Sequence, residues 1–128
     1  MQIISATEKD IPILNSLGIS TYDISNIYGI YKDDTLVGFT EYIKVGRFLE
    51  IDNLHILKSF RGQGFGSKFL ETLANENKST VTFITGQSLP SAVGFWKEVG
   101  ANFDDEINED SIIEADEKGY CFSFSITI

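Results

Sequence analysis

The stretch Leu54-His-Ile-Leu-Lys-Ser-Phe-Arg61-Gly-Gln-Gly-Phe-Gly-Ser-Lys68 constrains this chain more than any other. An apolar strand runs into a basic residue, then into three glycines in five positions, then into an amphipathic segment. Phe65, Phe69, Leu70 and Leu73 share one face at helical spacing, which predicts a helix from near Gly64 to about Asn75. A strand that feeds a glycine-rich turn and a helix N-terminus is suited to an anion. The first-turn N–H groups lack intrahelical partners, the helix dipole favours negative charge, and missing Cβ atoms let a phosphate approach.

Two common phosphate loops are excluded by counting. The P-loop pattern needs Gly, four residues, then Gly-Lys-Ser/Thr, and the dinucleotide pattern needs Gly-x-Gly-x-x-Gly. Started at Gly62, both require a glycine where Ser67 stands. The arrangement that remains is Arg61-x-x-Gly64-x-Gly66 after a long strand.

At 128 residues the chain is expected to form a single domain over 1–128. A hydrophobic content of 42%, with ten Phe, five Tyr and one Trp, marks a globular protein rather than a disordered one. No apolar run approaches a membrane span, and the start Met-Gln-Ile-Ile-Ser has no signal-peptide pattern. The single cysteine, Cys121, excludes an internal disulfide and suits a reducing compartment, so a cytoplasmic location is expected.

The net charge of −9 is unevenly placed. Asp104 to Lys118 holds eight acids and one base, a local −7, whereas Arg47 to Leu70 holds four bases and two acids, a local +2. The anion loop thus sits in positive surroundings, while the whole molecule repels nucleic acid and anionic lipid; neither is an expected partner. The acidic stretch reads first as solvated surface and second as a means of steering a cationic acceptor.

Taken in order, Gln2–Ser5 reads as a strand. Asp10 is placed as the N-cap of a helix with Pro12 in its first turn; Ile13, Leu14 and Leu17 form its apolar face and Gly18 ends it. Ile19–Asn26 is a connector. Ile27–Lys32 and Leu36–Val45 read as strands joined by Asp33-Asp34, and Gly46 turns the chain into a strand over Arg47–Leu57. Thr80–Thr85, β-branched and aromatic, is expected as a strand parallel to Arg47–Leu57 through a right-handed crossover. Ala92, Phe95, Trp96 and Val99 predict a second buried helix ending at Gly100. Tyr120–Ile128 alternates as a final strand, with Asp110–Ala115 expected to pair with it through the turn Asp116–Gly119.

Arg61-x-x-Gly64-x-Gly66 resembles motif A of the GCN5-related N-acetyltransferase (GNAT) superfamily, and Ala92-Val-Gly-Phe-Trp-Lys-Glu-Val-Gly100-Ala is similar to its motif B. The order β-α-β-β-β-α-β-α-β-β also resembles that fold over nearly the whole chain. The resemblance implies an α+β (mixed α/β) acyl-CoA N-acyltransferase fold, with a mixed, mostly antiparallel sheet of about six to seven strands and helices on both faces. It implies acetyl-CoA as acyl donor and transfer of an acetyl group to a primary amine by direct attack. Pantetheine would pair with the main chain at Leu54, His55 and Ile56. The pyrophosphate would lie on N–H groups of Gly62, Gln63, Gly64, Phe65, Gly66 and Ser67 with Arg61 at the entrance, and Trp96 would pack in the core or beneath the coenzyme. No metal is implied.

An ammonium with a pKa of about 10 must lose a proton before it can attack. Glu50 stands eleven residues before Arg61, the spacing at which histone-type members of the superfamily place their base, and strand alternation puts Asp52 on the same face. Backbone N–H groups near His55 or Ile56 would hold the developing oxyanion.

Two departures from the resemblance matter. Trp96 occupies the position at which motif B usually carries a tyrosine acid; indole donates a hydrogen bond but is no usable acid, and Tyr120 is a weak substitute. The connector Ile19–Asn26 replaces the helix that usually walls the acceptor site. The cleft is therefore expected either to be open to a protein amine or to be completed by a second subunit, a homodimer. His55 is read as lining the coenzyme site, and Cys121 as a bystander. The alternative function is a non-catalytic acyl-CoA-binding sensor or interaction module.

Overall fold

The computed structural model describes residues 1–128. Seven strands form a mostly antiparallel sheet in the order β1-β2-β3-β4-β5-β7-β6, joined by four helices. The chain divides into two compact units, Met1–Ile43 with Asn53–Leu73, and Lys44–Asp52 with Ala74–Ile128, so strand β4 (Phe48–Ile56) contributes to both.

In the first unit β1 (Gln2–Ser5) runs antiparallel to β2 (Ile27–Lys32), and β2 antiparallel to β3 (Thr35–Val45). Asp33 and Asp34 join β2 and β3 with φ of 49° and 66°. A primed two-residue turn needs positive φ at both central positions, and aspartate is among the few residues that tolerate it. Helix α1 (Ile11–Ser16) lays Leu14 onto Ile27 and Phe39, with Ile19 closing the cluster. Asp10 does not cap α1 as its position suggested. It is itself helical, and its Oδ2 accepts from the Thr7 N–H at 2.9 Å across a preceding 3₁₀ turn, Glu8–Asp10. The connector Ile19–Asn26 carries no helix, as expected. Helix α2 (Phe65–Asn77) begins in this unit and buries Phe69, Leu70 and Leu73.

In the second unit β4 runs parallel to β5 (Phe83–Ser88) from Phe48↔Phe83 to Ile51↔Gly86. The strand expected over Thr80–Thr85 is displaced three residues toward the C-terminus. The N–H groups of Thr80 and Val81 turn back to the Asn77 carbonyl, finishing α2 instead of starting a strand, and the ladder runs through Gly86 to Ser88. Helix α3 (Val93–Glu98) follows a 3₁₀ turn at Pro90–Ala92.

The segment expected as a strand at Asp110–Ala115 is a helix, α4 (Glu109–Lys118). Asn108 and Ser111 cap its start reciprocally, and Gly119 ends it in the left-handed region at φ 75°. Two acids lie in its first turn, and Lys118 in its last turn is bonded to Glu114 at 2.7 Å. Ile112 and Ala115 pack against Val93 and Phe122, a helical spacing rather than the alternation of a strand. The partners of β7 (Phe122–Thr127) are β5 on one side and the two-residue β6 (Asn102–Phe103) on the other.

Candidate functional site

The glycine loop lies in the first unit between β4 and α2. After a 3₁₀ turn at Lys58–Phe60, Arg61 is extended at φ −71° and ψ 152°. Gly62 and Gly64 then take φ of 73° and 81°, which side-chain-bearing residues avoid. The first-turn N–H groups of Phe65, Gly66 and Ser67 lie ahead of the backbone ladder, whose first bond runs from the Lys68 N–H to the Gly64 carbonyl at 3.0 Å. A Cβ built on Gly62 or Gly64 meets no atom within 4 Å, so both glycines face open space. The loop's shape comes from its flanks. Phe60 and Phe65 meet edge to face at 5.9 Å, and the Gln63 amide donates to the Ser59 carbonyl at 3.1 Å.

Arg61 is held by two acceptors from the end of β4. Its Nε donates to the Ile56 carbonyl at 2.9 Å, and its Nη2 lies 3.3 Å from His55 Nε2. The structure thus brings together His55, Ile56, Arg61 and the Gly62–Ser67 loop, all expected at one site. The Ile56 carbonyl is already engaged by the guanidinium as well as being expected to pair with a ligand. Burial, and then the Arg61 charge, hold the His55 pKa below its ordinary 6.5.

Four residues of β2 and β3 that shape this site escaped the sequence reading. A Cβ on Gly38 of β3 would collide with the His55 carbonyl oxygen, so the missing side chain lets β3 approach β4 closely there. The buried Thr40 hydroxyl donates to the Asn53 carbonyl at 2.8 Å, and the Leu57 N–H donates to the Val37 carbonyl at 2.9 Å. Residues 53–57 are thereby tied to β3. Lys32, at the end of β2, places its ammonium 5.7 Å from the centre of the Phe65 ring and adds a cation near the loop. Leu54 is half-buried between these anchors.

The remaining expected site residues belong to the second unit. Glu50 and Asp52 are exposed, and Glu50 pairs with Thr85. Trp96 is buried, its ring stacked 4.2 Å from Phe124 and edge-on to Phe95 at 5.0 Å. Its packing is that of a core residue. Tyr120 is 42% exposed beside Phe122, and Cys121 is exposed. No helix is long and apolar enough to cross a membrane.

Known proteins share this architecture. Two structures of N-acetylglutamate synthase from Neisseria gonorrhoeae are similar to it, one complexed with coenzyme A and N-acetyl-glutamate and the other with coenzyme A and L-arginine. Their TM-scores are 0.68 and 0.72 at 17% and 16% identity, over 98% and 99% of this chain and 34% and 33% of theirs. The chain therefore spans about a third of the length of these synthases. An acetyltransferase from Thermus thermophilus has a TM-score of 0.74 at 15% identity, covering 99% of this chain and 96% of its own. Tetrahymena GCN5 has a TM-score of 0.69 at 14% identity, covering 100% and 96%. At such identities the likeness is one of fold. No protein with a curated description matches the sequence. The sequence itself matches the acetyltransferase (GNAT) family over residues 7–101, most of its length, and the chain belongs to that family.

Proposed function

We propose that this chain is an N-acetyltransferase that takes an acetyl group from acetyl-CoA and delivers it to a primary amine. The observation that carries the reading is the pair of left-handed glycines, Gly62 and Gly64, open on their Cβ sides at the N-terminus of a thirteen-residue helix. That cradle fits a pyrophosphate, and Arg61 and Lys32 supply cations beside it. Leu54, His55 and Ile56 offer main-chain groups to the pantetheine arm, and Gly62–Ser67 offer N–H groups to the phosphates. Family membership and the coenzyme A complexes of the gonococcal synthase support the same donor.

Bound acetyl-CoA supplies an activated thioester, whose C–S bond breaks as the amine forms a C–N bond. The chain's own residues manage the protons. Glu50, on the exposed side of β4, takes one proton from the acceptor ammonium, directly or through water. The ammonium has three N–H bonds and the amide product keeps one; the third proton goes to the departing thiolate through solvent. Trp96 plays no acid role, because its ring is packed on Phe124 and its N–H does not ionise usefully. The His55 and Ile56 N–H groups are donors for charge growing on the acyl oxygen. The acceptor is a small-molecule or protein amine, met in the cytoplasm and away from nucleic acid and membrane. A homodimer would complete the cleft where the connector Ile19–Asn26 leaves it short.

The buried Trp96 and that helix-free connector favour a second reading, a non-catalytic acyl-CoA sensor. Calorimetry with acetyl-CoA, CoA and ATP, followed by turnover with an amine panel, separates the two. Micromolar binding of acetyl-CoA but not ATP, with turnover, is expected. Binding without turnover selects the sensor, and no binding removes both. Glu50→Gln should lower kcat by about a hundredfold; full kcat at every pH would take Glu50 out of the mechanism.

A further inference from the structure

Two successive rows of polar side chains cross one face of the sheet in the second unit. Glu50 of β4 pairs with Thr85 of β5, Thr85 with Ser125 of β7, and Ser125 with Asn102 of β6. In the next row Gln87 pairs with Ser123. The Asp104 N–H donates to the Ser123 carbonyl at 3.1 Å, which carries the β6–β7 ladder one residue past Phe103. Residues paired across a ladder project from the same side, and neighbours along a strand alternate. Phe103 packs into the core cluster of Val93, Ala115 and Phe122, so Asn102 and Asp104 belong to the other face. On that face Gln87 Nε2 donates to the Ser123 hydroxyl at 2.7 Å. Helices α3 and α4 cover the opposite face, where Trp96 stacks on Phe124 and Ala115 lies beside Phe122.

Carboxylates stand at both ends of these rows. Glu50 and Asp52, two residues apart on one side of β4, mark one end; Asp104, just past β6, marks the other, and all three are exposed. Asp105 and Glu106 follow Asp104 and add to the negative potential there. Between the ends the side chains are neutral donors and acceptors: Thr85, Gln87, Ser123, Ser125 and Asn102. No Lys, Arg or His lies in Phe48–Ile51, Phe83–Ser88, Asn102–Phe103 or Phe122–Thr127. Lys44 and Arg47 are bonded to the Thr80 and Thr82 hydroxyls at 2.6 and 2.9 Å, at the end of β4 and β5 away from Asp52 and Gln87. Lys97 and Lys118 belong to the helices of the opposite face. The two acidic ends are three strand spacings apart, about 14 Å.

We propose that this face takes the acceptor as a linear aliphatic polyamine, its reacting ammonium at Glu50 and Asp52 and its far ammonium at Asp104. The proposal rests on the acetyltransferase reading above. With a charge-assisted hydrogen bond of about 2.8 Å at each end, the two nitrogens are about 8 Å apart when the chain lies between the carboxylates and about 14 Å apart when it lies over them. An extended chain advances about 1.2 Å per bond, so the nine bonds between the end nitrogens of spermidine reach about 11 Å and engage both ends. The five bonds of diaminobutane reach about 6 Å and engage one. Hydroxyl and amide oxygens between the ends can accept from an inner N–H. A monoamine gains only the Glu50 end, and an acceptor bearing a carboxylate meets like charge wherever it lies.

The test uses the full chain at saturating acetyl-CoA with four acceptors: spermidine, diaminooctane with its amines at the two ends, diaminobutane and octylamine. Acetyl-CoA Kd is measured alongside by calorimetry. Spermidine and diaminooctane, equal in length, should both exceed diaminobutane and octylamine in kcat/KM. Asp104→Asn should cut the preference for diaminooctane over octylamine about three- to fivefold, the size of one exposed ion pair, through KM and with acetyl-CoA Kd unmoved. Asp104 is exposed and its tie to β7 is made by the backbone, so the variant is expected to fold. Glu117→Gln removes the same charge from α4 on the opposite face and should leave that preference as it was. Equal kcat/KM for diaminooctane and octylamine, preference for diaminobutane, turnover of none of the four, or the same change in both variants overturns the polyamine site, while bound acetyl-CoA keeps the acetyltransferase reading. Absence of acetyl-CoA binding in the unaltered protein overturns both.

Discussion

The guanidinium of Arg61 lies 3.3 Å from His55 Nε2, and since arginine has no lone pair to offer, that nitrogen must be the acceptor. His55 is therefore unprotonated at Nε2 whenever the contact exists. Together with the Ile56 carbonyl, the imidazole fixes the one arginine of the motif at the mouth of the glycine loop.

This pairing predicts a pH dependence. Burial and then Arg61 hold the folded pKa of His55 below 6.5, so the unfolded chain takes up a proton first as pH falls. The stability it contributes is fully present above pH 6.5 and is lost as pH falls through the lower folded value. Thermal unfolding between pH 7.5 and 5.5 should show a decline in Tm that shrinks in His55→Gln, which keeps an acceptor but cannot titrate. Equal slopes in the two proteins would refute the coupling.

Gly64 and Gly18 make an informative pair. Both have positive φ, 81° and 74°, and a Cβ at either meets nothing within 4 Å. Alanine at each should cost about 1–2 kcal/mol of stability through backbone strain alone. Only Gly64→Ala should also weaken acetyl-CoA, by at least tenfold, because Gly64 lies in the loop proposed to hold the pyrophosphate. Calorimetry on both variants decides it; equal Kd values would mean that the loop holds no phosphate.

Gly38→Ala should be severe for a different reason. Its Cβ would strike the His55 carbonyl oxygen, a backbone atom that cannot swing away, with Ile56 Cα at 3.2 Å. We expect a loss of about 1–3 kcal/mol, typical of overpacking, and weaker acetyl-CoA binding as residues 53–57 move. Gly94→Ala, where nothing lies within 4 Å, should be neutral or stabilising. Urea midpoints for the two variants give the comparison, and equal midpoints would remove the close approach from the argument.

Asn108→Ala should remove about 1 kcal/mol by deleting the cap of α4, whose Oδ1 accepts from the Ser111 N–H at 2.9 Å. The urea midpoint should fall at constant slope with acetyl-CoA binding unchanged. No shift would mean that the cap contributes nothing to the fold.

The glycine loop was legible because its determinants are local. Three glycines, an arginine and a helical apolar face dictate a turn and a helix start whatever surrounds them, and the Asp33-Asp34 turn is local in the same way. The misplaced elements depended on distant partners. Gly86-Gln-Ser88 looks like the end of a strand, yet it belongs to β5 because Gly86 makes room for the Phe124 ring, 2.7 Å from where its Cβ would be. Asp110–Ala115 can be patterned either way, and it is helical because Ile112 and Ala115 find Val93 and Phe122 while its ends are capped.

By itself, then, the sequence determined the family, the glycine turn with its helix start, and the alternation that places Glu50 and Asp52 on one face. Only the tertiary structure decided that Arg61 rests on His55 and Ile56, that Gly38 admits β4, and that Glu50, Thr85, Ser125 and Asn102 form one row. The physical reason is range. Turns, caps and helix starts are set by backbone preferences within a few residues, whereas register and side-chain pairing across a sheet arise only when strands far apart in the chain bury a common face.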